Sequence, residues 1–219
     1  MPSLPPVPRP RAAPRKARVL ALAALLLAAC GTPAAAQTER AAAPQATSLS
    51  LLVTARGDAA CTTDQQAVVE EAREVARQRS KAAARLVATE PDHPHIRQWF
   101  GDAPRAEIAD RLRRTAAQLG RPDTIKVLCN DLGPCEGGIL AFARPGLGII
   151  GLCTGFFVAR MKGFDSRWGI LLHEASHLAA ETDDFAYGPR AALIMAKKDP
   201  SQAARNADNY EYFVETLPR

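Results

Sequence analysis

Residues 164–180 read Phe-Asp-Ser-Arg-Trp-Gly-Ile-Leu-Leu-His-Glu-Ala-Ser-His-Leu-Ala-Ala. Trp168, Leu171, Leu172, Ala175 and Leu178 recur at helical spacing, so Phe164–Ala180 is expected to be a helix with an apolar face. His173 and His177 stand four residues apart, one above the other on the same side of that helix. The flanking chain must supply the core on which such a helix rests.

Upstream, Asp64–Ala88 sets Val68, Val69, Ala72, Val75 and Ala76 among strong helix formers and reads as a long amphipathic helix. Ile96–Gly101 is a short turn or helix bearing Trp99 and Phe100. Pro104–Leu119 is helical, with Pro104 suited to the first turn and Gly120 and Pro122 ending it. Thr124–Cys129, Gly138–Phe142 and Gly148–Cys153 are short, β-rich and bounded by Gly and Pro, as in a small sheet. Pro189–Lys197 and Pro200–Glu215 close the chain as two helices. Helices, a small sheet, then helices is an α+β arrangement, mostly helical, in a single domain.

The chain has 219 residues, and its net charge of +5 suggests nucleic acid at first sight. Five of the 28 basic residues, Arg9, Arg11, Arg15, Lys16 and Arg18, fall in residues 1–29, which hold no acid. The remaining 23 match the 23 acids, so the rest of the chain is neutral and no nucleic-acid partner is expected. Val19–Ala29 is an apolar run of the length and basic flank of a secretory signal, about half of what spans a bilayer. Leu27-Ala28-Ala29-Cys30 resembles a lipoprotein box, which would leave Cys30 lipidated; Ala34-Ala35-Ala36 resembles an ordinary cleavage site. The expected organisation is a signal peptide at 1–29, a flexible tether at 30–58, too short for an inhibitory prodomain, and a folded domain at 59–219. Without Cys30, the four cysteines Cys61, Cys129, Cys135 and Cys153 form an even set suited to disulfides in an oxidising compartment. The protein is therefore expected outside the cytoplasm, as a secreted, periplasmic or outer-membrane lipoprotein. Membrane contact would come only through a lipid at Cys30.

His173-Glu174-Ala175-Ser176-His177 has chemical content beyond its period. Imidazoles at i and i+4 can bind one metal ion from a rigid element, with the adjacent glutamate near a metal-bound water: the zinc-protease pattern. A chance match in a chain of this composition arises about 0.4% of the time, so accidental spacing ranks well below metal binding. A catalytic zinc takes three protein ligands and keeps one position open. His93 and His95 lie far upstream, and the position where an extended motif would place a third histidine is Asp183. Glu211 or Glu215 from a downstream helix is conceivable as the third ligand, but the nearest carboxylates are Asp183 and Asp184, one turn beyond the helix end, and chemistry alone does not separate these two.

Glu181-Thr182-Asp183-Asp184-Phe185-Ala186-Tyr187-Gly188 resembles the Gly-Thr-x-Asp-x-x-Tyr-Gly signature of the aspzincins, the deuterolysin and peptidyl-Lys metalloendopeptidase family. Glu181 replaces its glycine. Trp99-Phe100-Gly101, Ile150-Gly151-Leu152-Cys153 with Phe156-Phe157, and Asn206–Phe213 resemble further segments of the family, so the likeness spans roughly 59–217. The resemblance implies a zincin-like fold and a zinc endopeptidase acting on proteins or peptides. It implies one Zn2+ per chain on His173, His177 and Asp184, with Glu174 as general base and Tyr187 stabilising the transition state. It also implies the disulfides Cys61–Cys129 and Cys135–Cys153. Asp208 and Glu211 share a helix face; in lysine-specific members the matching acids bind the lysine just after the cut bond, whereas on spacing alone they could be a solvated acidic stripe. A monomer is expected. The competing classes are a catalytically silent binding protein of the same fold and a lipoprotein whose histidine motif is accidental.

Overall fold

Thr62 opens the first helix, α1 (Thr63–Thr89), through a reciprocal pair of bonds with Gln65: each side chain accepts the other residue's backbone N–H. The computed structural model describes residues 60–129 and 133–218. The expected signal peptide, tether and lipidated Cys30 lie outside the described residues. Along α1, Val69, Ala72, Ala76, Ala83 and Val87 are buried in a stripe against α3 (Arg105–Leu119), which answers with Ile108, Leu112 and Leu119. Pro104 sits at the N-cap, one residue outside the helix it was expected to begin. Between them α2 (Pro94–Phe100) drives Trp99 and Phe100 into the core.

The sheet has three strands, β1 (Lys126–Cys129), β2 (Ala141–Arg144) and β3 (Ile149–Leu152). β3 is central, parallel to β1 and antiparallel to β2. β2 begins three residues later than expected, because Gly137 and Gly138 take positive φ and turn the chain first. The ring of Phe142 lies over Gly151, where a Cβ would come within 2.0 Å of it. A short helix that the sequence did not announce, α4 (Thr154–Val158), follows β3.

The central helix α5 (Arg167–Ala180) starts later than Phe164 because Ser166 caps it, its Oγ accepting the Gly169 N–H at 3.0 Å. α6 (Pro189–Lys198) leads to the last segment, expected as one helix from Pro200 to Glu215. It is two, α7 (Pro200–Ala203) and α8 (Ala207–Glu215), separated at Asn206, whose backbone is extended. α5 packs against α1, α3, α8 and β2. The result is a zincin-like α+β domain, mostly helical with one small sheet. Disulfides join Cys61 to Cys129 and Cys135 to Cys153, the pairs the resemblance implies. Among the described residues no helix is long and apolar enough to cross a membrane.

Candidate active site

α5 carries His173 and His177 to the floor of a cleft of about 910 Å³. β2 with the turn before it also lines the cleft, as do Asp208, Glu211 and Tyr212 of α8. β2 is bonded to β3 along one side only, so its other edge faces no strand among the described residues.

The chain must leave α5 sharply, and Glu181 does so in the left-handed region (φ 53°, ψ 43°). Glycine occupies that conformation more cheaply, so the departure from the family signature falls where a turn needs it most. Arg111, buried on α3, donates to the carbonyls of Ala180 and Glu181 and is itself held by Glu107 at 3.0 Å. It satisfies helix-end carbonyls that would otherwise lack partners. Thr182 comes next. Its carbonyl accepts the Nδ1–H of His177 at 2.8 Å, and its hydroxyl meets Ser176 Oγ at 2.6 Å. That bond places the proton of His177 on Nδ1 and leaves Nε2 as a donor to metal.

Asn206 then fixes the loop. Its Oδ1 accepts the N–H groups of Phe185 (2.9 Å) and Ala186 (3.0 Å), and Asp183 and Asn206 form a β-bridge. With the backbone so held, the two neighbouring aspartates point apart. Asp183 pairs with Arg205 at 2.8 Å on the surface. Asp184 Oδ1 lies 3.1 Å from His173 Nε2 and 3.3 Å from His177 Nε2. The two imidazoles outweigh the effect of burial and hold the Asp184 carboxyl well below its ordinary range.

The donor set suits zinc. Two imidazole nitrogens and one carboxylate oxygen converge from two elements, and ligand arms of about 2.0–2.1 Å in a tetrahedron give donor separations of about 3.3 Å. On the far side of His173, Nδ1 faces Asp208 Oδ1 at 2.9 Å and Glu211 Oε2 at 3.1 Å. Burial opposes protonation of His173, but its three carboxylate neighbours raise its pKa well above the ordinary value. In either case the outer Nδ1–H is the donated proton and Nε2 faces Asp184, an arrangement that orients a metal-ligating histidine.

Glu174 is buried at 6% exposure and lines the same cleft, one position off the histidine face. Burial raises its pKa. Tyr187, 69% exposed, lines the same cleft; partial burial, and after it the neighbouring Asp184 carboxylate, push its hydroxyl up to about 12. Asp208 is engaged at both oxygens, since Oδ2 accepts the Gly188 N–H at 2.6 Å. Among the described residues Glu211 Oε1 is buried without a hydrogen-bond partner, and burial pushes this carboxyl up to about 7. Asp208 and Glu211 are each 3% exposed, so they are no solvated stripe.

The remaining alternatives fall elsewhere. Glu215 accepts the Ser166 N–H at 2.8 Å, and His95 Nε2 meets the Phe213 carbonyl at 2.9 Å. Sequence reasoning did not single out Arg111, Thr182 as a histidine partner, or Asn206. Thr182 left a trace as the second residue of the signature, and Asn206 as the first residue of the segment Asn206–Phe213 that resembles the family; a buried Arg acting on distant backbone leaves no local pattern.

A family model described as lysine-specific metallo-endopeptidase, the aspzincin model, matches residues 85–215. An extracellular protease of Aeromonas hydrophila is 34% identical over 183 residues, covering 81% of this chain and 51% of that protein. A peptidyl-Lys metalloendopeptidase of Armillaria mellea is 45% identical over 86 residues, 38% of this chain and 24% of that protein. The chain thus spans about half or less of these relatives. The solved zinc peptidase from Grifola frondosa superposes with a TM-score of 0.64 at 28% identity, covering 71% of this chain and 96% of that one.

Proposed function

The chain belongs to the aspzincin family, and from that premise we propose that it is a zinc-dependent endopeptidase preferring lysine just after the scissile bond. The observation that carries the reading is the convergence of His173 Nε2, His177 Nε2 and Asp184 Oδ1 beside a buried Glu174.

One zinc ion per chain, held by those three atoms, would supply a Lewis acid that brings the pKa of water toward about 7 and polarises a carbonyl. The chain's own groups do the rest. Glu174 takes the proton of the attacking water and passes it to the leaving amine, a role that its raised pKa suits. The Tyr187 hydroxyl, on the exposed side of the site, donates to the substrate oxygen as negative charge develops there. The open edge of β2 offers backbone groups to an extended peptide. The unpaired Glu211 Oε1, in the field of Asp208, is an acceptor for a lysine ammonium. A silent relative of this fold has no use for a buried carboxylate at position 174.

The apolar run at 19–29, the two disulfides and the extracellular Aeromonas relative support a place of work outside the cytoplasm. Amino-terminal sequencing of the purified protein decides between lipidation at Cys30 and cleavage after Ala36.

The test is digestion of a denatured protein mixture by wild type and by Glu174→Gln, with the cut sites mapped. Wild type is expected to cut on the amino side of lysine. The variant should retain zinc and lose about 10³-fold in rate. Equal cutting by both would remove Glu174 from the chemistry, and no cutting by zinc-loaded wild type would remove the peptidase reading.

A further inference from the structure

We propose that Asp165 is a specificity-determining residue, supplying the second carboxylate that receives the lysine ammonium opposite Glu211. The inference rests on the lysine preference proposed above and names a residue outside the acidic pair of α8.

Asp165 lies in the turn before α5 and lines the same cleft as Glu211 and Asp208. Its backbone is left-handed, at φ 53°, although it is not glycine. Aspartate, like asparagine, enters this region more readily than most residues, and it stays there where the surroundings hold it. The side chain is indeed held. The buried Tyr212 donates its hydroxyl to Asp165 Oδ1 at 2.9 Å, the one hydrogen bond of this carboxylate among the described residues. Asp165 itself is exposed, and it lines the cleft that Glu211, whose Oε1 is buried without a partner among the described residues, also lines.

Asp208 is a weaker candidate for the same task. Its oxygens are committed to His173 and to the Gly188 N–H, so it shapes the site and contributes field rather than a free acceptor. An ammonium carries three donors and is best received by more than one anionic oxygen. Glu211 and Asp165 provide them from two different elements.

The experiment compares kcat/KM for matched peptides with lysine, arginine or leucine after the cut bond, in wild type, Asp165→Asn and Asp165→Gly. Asparagine and glycine both accept the left-handed backbone, so the fold is retained, and melting curves check it. The lysine-to-leucine ratio is expected to fall about tenfold or more in both variants, since each removes a charged acceptor. An unchanged ratio in folded variants of a lysine-preferring wild type overturns the role of Asp165 and leaves the lysine reading standing. A wild type that cuts leucine and lysine peptides equally overturns the lysine reading, and this inference with it.

Discussion

α1 and α8 both pack against α5, and they do so by opposite means. α1 runs 27 residues and buries seven, six of them Val or Ala in a stripe at helical spacing; its charges lie outside, in pairs such as Glu70–Arg73. α8 runs nine residues and buries eight, among them Asp208, Asn209 and Glu211. The first is a scaffold whose burial is driven by apolar surface. The second buries polar groups, which is costly unless each finds a partner. Its partners are the imidazole of His173, the Gly188 N–H and the carbonyls of Trp99 and Ala192. α8 is the element on which the site depends, and stability there is tied to geometry at the histidines.

That contrast can be broken most forcefully at Asn209. Its amide donates to Trp99 O and Ala192 O and accepts from Asn206 at 2.8 Å, all buried. Asn209→Ala strands those groups and is expected to cost about 3 kcal/mol. It should also weaken zinc binding, because Asn206 holds the Asp184 loop; urea unfolding and zinc titration read the two effects. In α1 the matching insult is steric. Ala76 is fully buried, and Ala76→Leu should cost about 2 kcal/mol by overpacking while zinc affinity in the folded protein stays at the wild-type value.

A third, smaller effect separates the helices by pH. Burial, then the charge of Glu211, pushes the Glu215 carboxyl up to about 8 against the Ser166 bonds that pull it down. An acid whose folded pKa is raised is destabilising when ionised. The fold therefore loses stability as pH climbs from the ordinary carboxylate value toward about 8. Glu215→Gln should flatten that decline by on the order of 1 kcal/mol, read as melting temperature between pH 5 and 8. At the lower end, Glu70→Ala on the exposed face of α1 should shift stability by less than about 0.5 kcal/mol. A larger loss there would mean that α1 is not the apolar scaffold described.

The same contrast explains what the sequence disclosed. α1, α3 and α5 were legible because burial there follows an apolar period. The break between α7 and α8 was not, since nothing in Ala203–Ala207 stops a helix locally; Asn206 is pulled straight by bonds to residues 185 and 186, some twenty positions away. β2 shifted for a related reason, its register being set by pairing with β3. At the site, both histidines and Glu174 could be read from spacing alone. The choice of Asp184 over Asp183 needed the resemblance, because neighbouring identical side chains are told apart only by the direction the backbone gives them.

The Cys135–Cys153 bond closes a ring of chain that holds β2, the start of the cleft wall and the exposed turn Pro145–Leu147. Exposed turns of this kind are where a protease nicks a folded chain first. A nick at Pro145–Leu147 would still leave both fragments covalently fastened, with no loose end to be drawn away. The wall of the cleft can be scored without being shed.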